Sequence, residues 1–205
     1  MSKLNKFWNT NARPDGQLGR LALRMMNVTH SPMAMWNLSL IDFQPRWTIL
    51  DVGCGGGKNI ARMLRRSQGS TVYGIDYSEE SVAMSTKVNR KHIGTRCFIT
   101  QGNVMQLPYE EAKFDLVTAY ETVYFWPDLE KAFSEVYRVL KPGGVFSFSY
   151  GDERSSTMRY WATEIEAMRI LPLDEIEQLL ANAGFSNLKT TLKGGYSVNF
   201  TMCKK

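Results

Sequence analysis

The sequence has little of what a disulfide framework, a cysteine-based metal centre or a membrane span requires. Its three cysteines are far apart, odd in number and never in C-x-x-C spacing, which argues against paired disulfides and a cysteine-ligated metal. No apolar run approaches the length of a transmembrane helix, and no apolar signal-peptide core follows Met1. These absences predict a cytoplasmic protein without a metal site.

Length and charge narrow the possibilities further. The chain has 205 residues, enough for one sizeable core and too few for two. A net charge of +5 permits contact with nucleic acid but does not show it. One helix face contains four basic residues, Lys58, Arg62, Arg65 and Arg66. A basic stripe of this kind usually faces solvent. No nucleic-acid-binding module is appended, so the pattern favours a small-molecule partner over nucleic acid.

The most informative segment is a glycine-rich turn between an apolar strand and a helix. The strand ends at Asp51, the turn contains Gly53, Gly55 and Gly57, and a helix follows from Lys58. Glycine tolerates positive φ and has no Cβ to block a ligand, and the helix N-terminus offers unpaired N–H groups. Two cofactor classes use such a corner: the dinucleotides and S-adenosylmethionine (SAM).

The spacing of the glycines separates these two classes. A dinucleotide fingerprint needs G-x-G-x-x-G, but the third glycine position falls on Lys58 when counted from Gly53 and on Ile60 when counted from Gly55. What remains is D-x-G-x-G-x-G, which resembles motif I of the class I SAM-dependent methyltransferases. A nicotinamide-dependent oxidoreductase stays the alternative that this spacing opposes.

Later motifs extend the resemblance over roughly residues 46–150. Asp76 ends a second strand, 25 residues after Asp51, where an acid can accept hydrogen bonds from ribose hydroxyls. In the family, the turn after the third strand meets the adenine amine, and Asn103 stands at that position. The cofactor-binding residues predicted in this way are Asp51, Gly53, Cys54, Gly55, Asp76, Tyr77, Asn103, Val104 and Tyr120.

The alternation of strands and helices predicts an α/β fold with a mostly parallel sheet. The segment 138–144, with its L-K-P-G-G turn, resembles the group that includes the quinone-biosynthesis methyltransferases. The resemblance implies a Rossmann-like, seven-stranded sheet with an antiparallel C-terminal hairpin, formed near 187–192 and 196–202 around Gly194-Gly195. One domain spans 1–205: a helical lid (1–45), the SAM-binding core (46–150) and a substrate-side segment with the hairpin (151–205).

Helical periodicity predicts which side chains face the core. One helix begins after Asp128 and places Leu129, Ala132, Phe133, Val136 and Leu140 on one face, and another begins near Pro172. In the lid, Leu18, Leu21, Ala22 and Met25 share one helical face, and a second helix covers 33–43.

The candidates for catalysis are Glu121, Tyr120 and His30. Glu121 and Tyr120 follow the fourth strand at the sheet edge where ligands bind. Glu121 is either a functional residue, which pairs with an amine or accepts a proton, or a solvated loop acid. His30, in the lid, is either a general base or a turn histidine. The aromatic residues 124–126 either wall the pocket or pack under a loop.

The resemblance implies transfer of the sulfonium methyl group to a small-molecule acceptor by in-line displacement. Two alternatives stay open beside the oxidoreductase: a SAM-binding protein without turnover, and a methyltransferase acting on RNA or protein. The acceptor, its atom and the choice between a monomer and a homodimer do not follow from the sequence.

Overall fold

The computed structural model describes residues 9, 12–192 and 198–205, which form one sheet flanked by helices. The strands are β1 Thr48–Val52, β2 Thr71–Asp76, β3 Cys97–Gln101, β4 Phe114–Ala119, β5 Leu140–Gly151, β6 Ser186–Leu192 and β7 Val198–Lys204. The helices are α1 Gly16–Thr29, α2 Ser31–Ser39, α3 Lys58–Arg66, α4 Glu79–Val88, α5 Leu129–Val139, α6 Ser156–Glu164 and α7 Leu173–Asn182, with a 3₁₀ turn at Val123–Phe125.

The sheet has seven strands in the order β3-β2-β1-β4-β5-β7-β6. Strands β1 to β5 pair in parallel, whereas β7 is antiparallel to both β5 and β6. The strand order reverses between β1 and β4, and a crevice at the carboxyl ends of these strands is the usual ligand site of an open α/β sheet. The predicted fold is confirmed, while Gly194-Gly195 and Tyr196, placed in the hairpin by the sequence, lie outside the described residues.

Helix α5 shows how apolar periodicity builds the core. Asp128 caps the helix by accepting the Lys131 N–H at 3.0 Å. Ala132 and Phe133 lie on the inner face of the helix and are fully buried. The prediction that Leu140 extends this helical face is wrong. The helix ends at Val139, and Leu140 is extended and pairs with Phe114 of β4. Pro142 disfavours helical backbone at the residue before it and favours an extended conformation, so the chain continues directly into the sheet.

Of the four residues on the predicted apolar face of α1, only Ala22 is buried. Leu18, Leu21 and Met25 are each nearly half exposed, whereas Ala22 and Leu23 are buried. The buried side of α1 consists of Gly19, Ala22 and Leu23, because this side lies close to α4 and to the preceding turn. Helix α2 starts and ends earlier than the 33–43 that periodicity predicts. No described helix is long and apolar enough to cross a membrane.

Candidate functional site

A cavity of about 830 Å³ opens at the carboxyl ends of the parallel strands, under α1 and α2. The glycine turn after β1 forms its floor, and the segments that follow β2, β3 and β4 form its walls. Helices α1 and α2 close it from the side of the predicted lid. The fold therefore brings most of the predicted site residues to one cavity, although they are spread over more than ninety positions of the sequence, from His30 to Glu121.

The glycine turn is shaped by positive φ angles at Gly53, Gly55 and Gly57, of 68°, 50° and 75°. The N–H groups of Gly53 and Cys54 donate to the Ile75 carbonyl, which fastens the turn to β2. A Cβ added at Gly53 would lie 2.3 Å from the Thr122 hydroxyl oxygen. Glycine is thus needed at Gly53 both for its backbone conformation and for its close approach to the chain after β4.

Asp76 holds its carboxylate at the cavity wall through backbone groups. Its Oδ2 accepts the Gly55 N–H at 2.8 Å, and its Oδ1 accepts the Ser78 N–H at 2.9 Å. Asp76 lines the cavity, and a carboxylate accepts hydrogen bonds from the hydroxyl groups of a ligand. Burial raises the pKa of Asp76, and these backbone hydrogen bonds oppose that shift.

Asp51 is buried and does not belong to the cavity lining. Its Oδ1 accepts the Thr118 hydroxyl at 2.7 Å, while Oδ2 has no hydrogen-bond partner among the described residues. Burial raises the pKa of the Asp51 carboxyl from 3.8 to about 7; the Thr118 hydrogen bond lowers it, and the charge of Asp76 raises it further. The acid of motif I thus braces the strand below the turn.

Asp51 leads to a prediction about stability and pH. Its folded pKa lies above the ordinary value, so the folded state binds an extra proton between pH 3.8 and about 7, and stability falls as the pH rises through that window. In urea unfolding of the ligand-free protein at pH 5 and pH 8, Asp51→Asn should be the more stable protein at pH 8, and its stability should depend less on pH. Equal pH dependence in the two proteins would contradict the assignment.

Three of the predicted cofactor-binding residues lie in the segments that follow β2 and β3. Tyr77 is 56% exposed, and the Arg13 guanidinium lies 4.7 Å from its ring centroid. Asn103 accepts the Met105 N–H through Oδ1 at 3.0 Å, which fixes the turn and leaves one lone pair on that oxygen. Val104 is buried in the same wall.

Glu121 is held firmly at the cavity wall and is not a solvated loop acid. Its Oε1 accepts the Ser149 hydroxyl at 3.0 Å, and its Oε2 accepts the Tyr124 hydroxyl at 3.2 Å. Its own N–H donates to Ser149 Oγ at 2.8 Å. Its φ of 59° is unusual for a residue with a side chain, and such strained backbone often occurs at functional sites.

The aromatic residues around Glu121 divide between packing and lining. Tyr120 is buried with its hydroxyl 2.9 Å from Ser147 Oγ, so this phenol is bound to the sheet. Tyr124 packs in a cluster with Met33, and burial together with the charge of Glu121 raises its pKa. Phe125 and Trp126 line the cavity. Both sequence interpretations of this segment therefore hold, for different residues.

His30 and Cys54 lie at the two extremes of exposure. His30 is exposed at the junction of α1 and α2, on the rim of the cavity. Cys54 is buried, with Sγ 3.8 Å from Ser85 Oγ, and burial raises the pKa of its thiol. Among the described residues, no group of three or more His, Cys, Asp or Glu is placed to hold a metal ion.

Sequence reasoning missed three cavity residues. Asn37 of α2 is fully buried, and neither its Oδ1 nor its Nδ2 has a hydrogen-bond partner in the described part of the chain. Asn27 of α1 donates to the Gly56 carbonyl at 3.2 Å and covers the glycine turn. Arg62, predicted on a solvated face, is half buried and lines the cavity. The sequence contained a signal only for Asn37, which is a lone polar residue in the apolar stretch of α2.

The sequence profile of the family described as "Methyltransferase domain" matches residues 50–148. A 24-methylenesterol C-methyltransferase 2 of Oryza sativa subsp. japonica is 35% identical over 162 residues, which are 73% of this chain and 44% of that protein. Phosphoethanolamine N-methyltransferase 2 of Caenorhabditis elegans is 31% identical over 163 residues, 75% of this chain and 37% of that protein. The chain belongs to the class I SAM-dependent methyltransferases.

A solved structure of the methyltransferase family shares the fold. Haemonchus contortus phosphoethanolamine N-methyltransferase 2, in complex with SAM, superposes with a TM-score of 0.79 and 18% identity over 97% of this chain and 60% of that one. The chain spans less than half the length of the two sequence relatives above. The predicted family and its cofactor class are confirmed, while the narrower resemblance to the quinone-biosynthesis group stays a prediction.

The cavity fits SAM, the cofactor of the class I methyltransferase family. The glycine turn exposes backbone beside a carboxylate that two backbone N–H groups hold in place. Asn37 adds a buried amide whose donors and acceptor lack partners among the described residues. A buried unpaired amide is costly, and a polar ligand in the cavity removes that cost.

Proposed function

We propose that this protein transfers the methyl group of SAM to a small-molecule acceptor bound in the same cavity. The observation that carries the proposal is the Asp76 carboxylate, fixed by the Gly55 N–H at the cavity edge of a methyltransferase glycine turn. Asp76 accepts hydrogen bonds from the ribose hydroxyls, and Gly53, Cys54 and Gly55 present backbone to the cofactor. The domain acts as one unit, with 1–45 as lid, 46–150 as cofactor core and 151–205 as substrate side.

We also assign roles to the remaining predicted cofactor-binding residues. Tyr77 and Val104 enclose the adenine, and Asn103 accepts a hydrogen bond from its amine. Tyr120 forms the wall beside the transferred methyl group, and Asp51 supports the turn from below. Because Asp51 is buried behind its hydrogen bond from Thr118, its effect on the cofactor is indirect.

SAM, when bound, supplies a methyl group on a sulfonium leaving group, so the protein has mainly to orient the acceptor and exclude water. Glu121 is the residue best placed to orient an acceptor, because Ser149 and Tyr124 fix its carboxylate at the wall. It holds an acceptor amine or takes the acceptor's proton. His30, on the rim, is the second candidate base, and Tyr120 acts as a wall.

Replacing Glu121 with Gln tests the acceptor role directly. The carboxylate contributes to positioning or proton transfer, so turnover should fall by about 10²-fold or more, while affinity for S-adenosylhomocysteine (SAH) stays within about twofold. Single-turnover rates and calorimetric titration measure the two quantities. Glu164→Gln, on α6, is the matched control. Equal turnover in the Glu121 variant and the wild type would return Glu121 to a structural role.

The first experiment on the function is calorimetric titration of the full chain with SAM, SAH and NADH. Binding of SAM and SAH without NADH supports the proposal; binding of NADH alone overturns it. A SAH-release assay then surveys acceptors, beginning with sterols and phosphoethanolamine, which the names of the relatives suggest. Binding of SAM without turnover on any acceptor would favour a non-catalytic SAM-binding protein.

The cellular location, the oligomeric state and the partner of the protein also belong to this proposal. A cytoplasmic location, a monomeric or homodimeric state and a small-molecule partner remain predictions from the sequence. The basic charge of the chain gives no specific support to RNA or protein as the acceptor. Light scattering of the purified chain measures the oligomeric state.

A further inference from the structure

One wall of the cavity, formed by α2 and α3, contains polar groups that the proposed function does not use. Ser31, Ala34 and Asn37 recur every third residue, so they lie on one face of α2, and all three line the cavity. Exposure falls along this face: Ser31 is half buried, Ala34 is 5% exposed and Asn37 is fully buried. The distance from Ser31 to Asn37 along the helix is roughly 9 Å.

Arg62 joins α3 to this face. Its Nη2 donates to Ser31 Oγ at 2.5 Å, and its Nη1 donates to Asn59 Oδ1 at 2.8 Å. Both partners are neutral, and no carboxylate in the described ranges 9, 12–192 and 198–205 forms an ion pair with Arg62. A guanidinium has five N–H donors, so three remain for a ligand.

The charge of Arg62 is poorly compensated where it lies. Burial and the neighbouring Arg65 and Arg66 lower the pKa of its guanidinium. Asp76, Glu121 and Glu166 line the same cavity, and none of these acids forms an ion pair with Arg62. A partly buried cation without a counter-charge is unfavourable, and an anion bound beside it relieves that cost.

Helix α2 adjoins the side of the cavity formed by the chain after β4. Met33 packs in one cluster with Tyr124, whose hydroxyl donates to Glu121, and the ring centroid of Trp36 lies 5.9 Å from that of Phe200 on β7. Asp76 lies at the end of β2, on the opposite side of β1. The wall therefore adjoins the acceptor side, where Glu121 is also found.

We infer that Arg62 and Asn37 form a subsite for an anionic group of the methyl acceptor, a carboxylate or a phosphate. The inference rests on the proposed function, because it assigns the acceptor end of the same cavity. Arg62 provides charge and paired N–H donors to the anion. Asn37 donates its amide N–H deeper in the cavity and accepts from a hydroxyl or amine of the same molecule. Acceptors with an acidic group are favoured over neutral ones of the same size.

The test is calorimetric titration of the full chain saturated with SAH, using inorganic phosphate and glycerol 3-phosphate as probes and glycerol as the neutral control. Wild type should bind both anions and not glycerol. Arg62→Gln should weaken the binding of both anions at least tenfold, and Arg62→Lys should weaken it less. Asn37→Ala should weaken the binding of glycerol 3-phosphate. Arg65→Gln, an exposed neighbour on α3 outside the cavity lining, is the matched control and should bind like wild type.

A second pair of titrations separates the acceptor from the carboxylate of the cofactor. SAH carries that carboxylate and 5′-methylthioadenosine lacks it, and both should bind Arg62→Gln as they bind wild type. A tenfold loss for SAH alone would place Arg62 at the cofactor carboxylate and overturn the inference. Anions that bind Arg62→Gln as well as wild type, or do not bind wild type at all, would also overturn it. Failure of SAH to bind wild type would instead defeat the proposed function.

Discussion

Asp76→Ala is expected to weaken SAM binding by about 1.5–3 kcal/mol, roughly a ten- to 150-fold rise in Kd, because a hydrogen bond to a charged group is lost. The same substitution leaves the Gly55 and Ser78 N–H groups without the carboxylate that accepts them. The glycine turn should therefore loosen as well as lose its ribose contact. Calorimetric titration with SAM and SAH measures the effect, and circular dichroism verifies that the variant is folded.

Two further variants separate the contact from the charge. Asp76→Asn keeps one side-chain oxygen for the Gly55 or Ser78 N–H, so its loss of affinity should be smaller. Glu79→Ala removes one negative charge from an exposed position three residues away and should leave affinity within about twofold, as exposed charges contribute little. Unchanged SAM affinity in a folded Asp76→Ala protein would refute the ribose assignment.

Gly53→Ala is expected to destabilise the protein by about 2–4 kcal/mol, the combined cost of a left-handed alanine and of overpacking. The added Cβ would lie 2.3 Å from Thr122 Oγ1 and 2.8 Å from Thr122 Cβ, at a φ of 68°. Thr122 follows Glu121, so any shift that relieves the clash also displaces the acceptor side of the cavity. Urea unfolding of the ligand-free protein measures the loss.

The strain and the clash can be measured separately. Gly94 has a φ of 76° with nothing within 4 Å of an added Cβ, so Gly94→Ala reports the backbone cost alone, about 1–2 kcal/mol. Thr122→Gly removes the three clashing side-chain atoms, and in a double-mutant cycle it should recover at least about 1 kcal/mol of the Gly53→Ala loss. Equal destabilisation by Gly53→Ala and Gly94→Ala, with no coupling to Thr122, would show that the close approach has no energetic consequence.

The prediction from sequence succeeded where the information is local. The glycine turn, the acid at the end of β2 and the Asp128 cap each depend on a few adjacent residues, and all occur as predicted. It failed where several faces of a helix are apolar. The moderately hydrophobic α1 offers more than one apolar face, and only its contact with α4 selects the side with Ala22 and Leu23.

The sequence by itself determined the order of the strands, the cofactor class and the position of the glycine turn, because short segments specify backbone conformation and hydrophobic periodicity. It did not predict helix α6. Only the tertiary structure decided how Glu121 is held, since its partner Ser149 is 28 residues away and meets it when β4 and β5 pair. The same is true of Arg62, bonded to Ser31 across 31 residues, and of Asn37. Hydrogen-bond partners and burial arise from packing between distant segments, which no local pattern specifies.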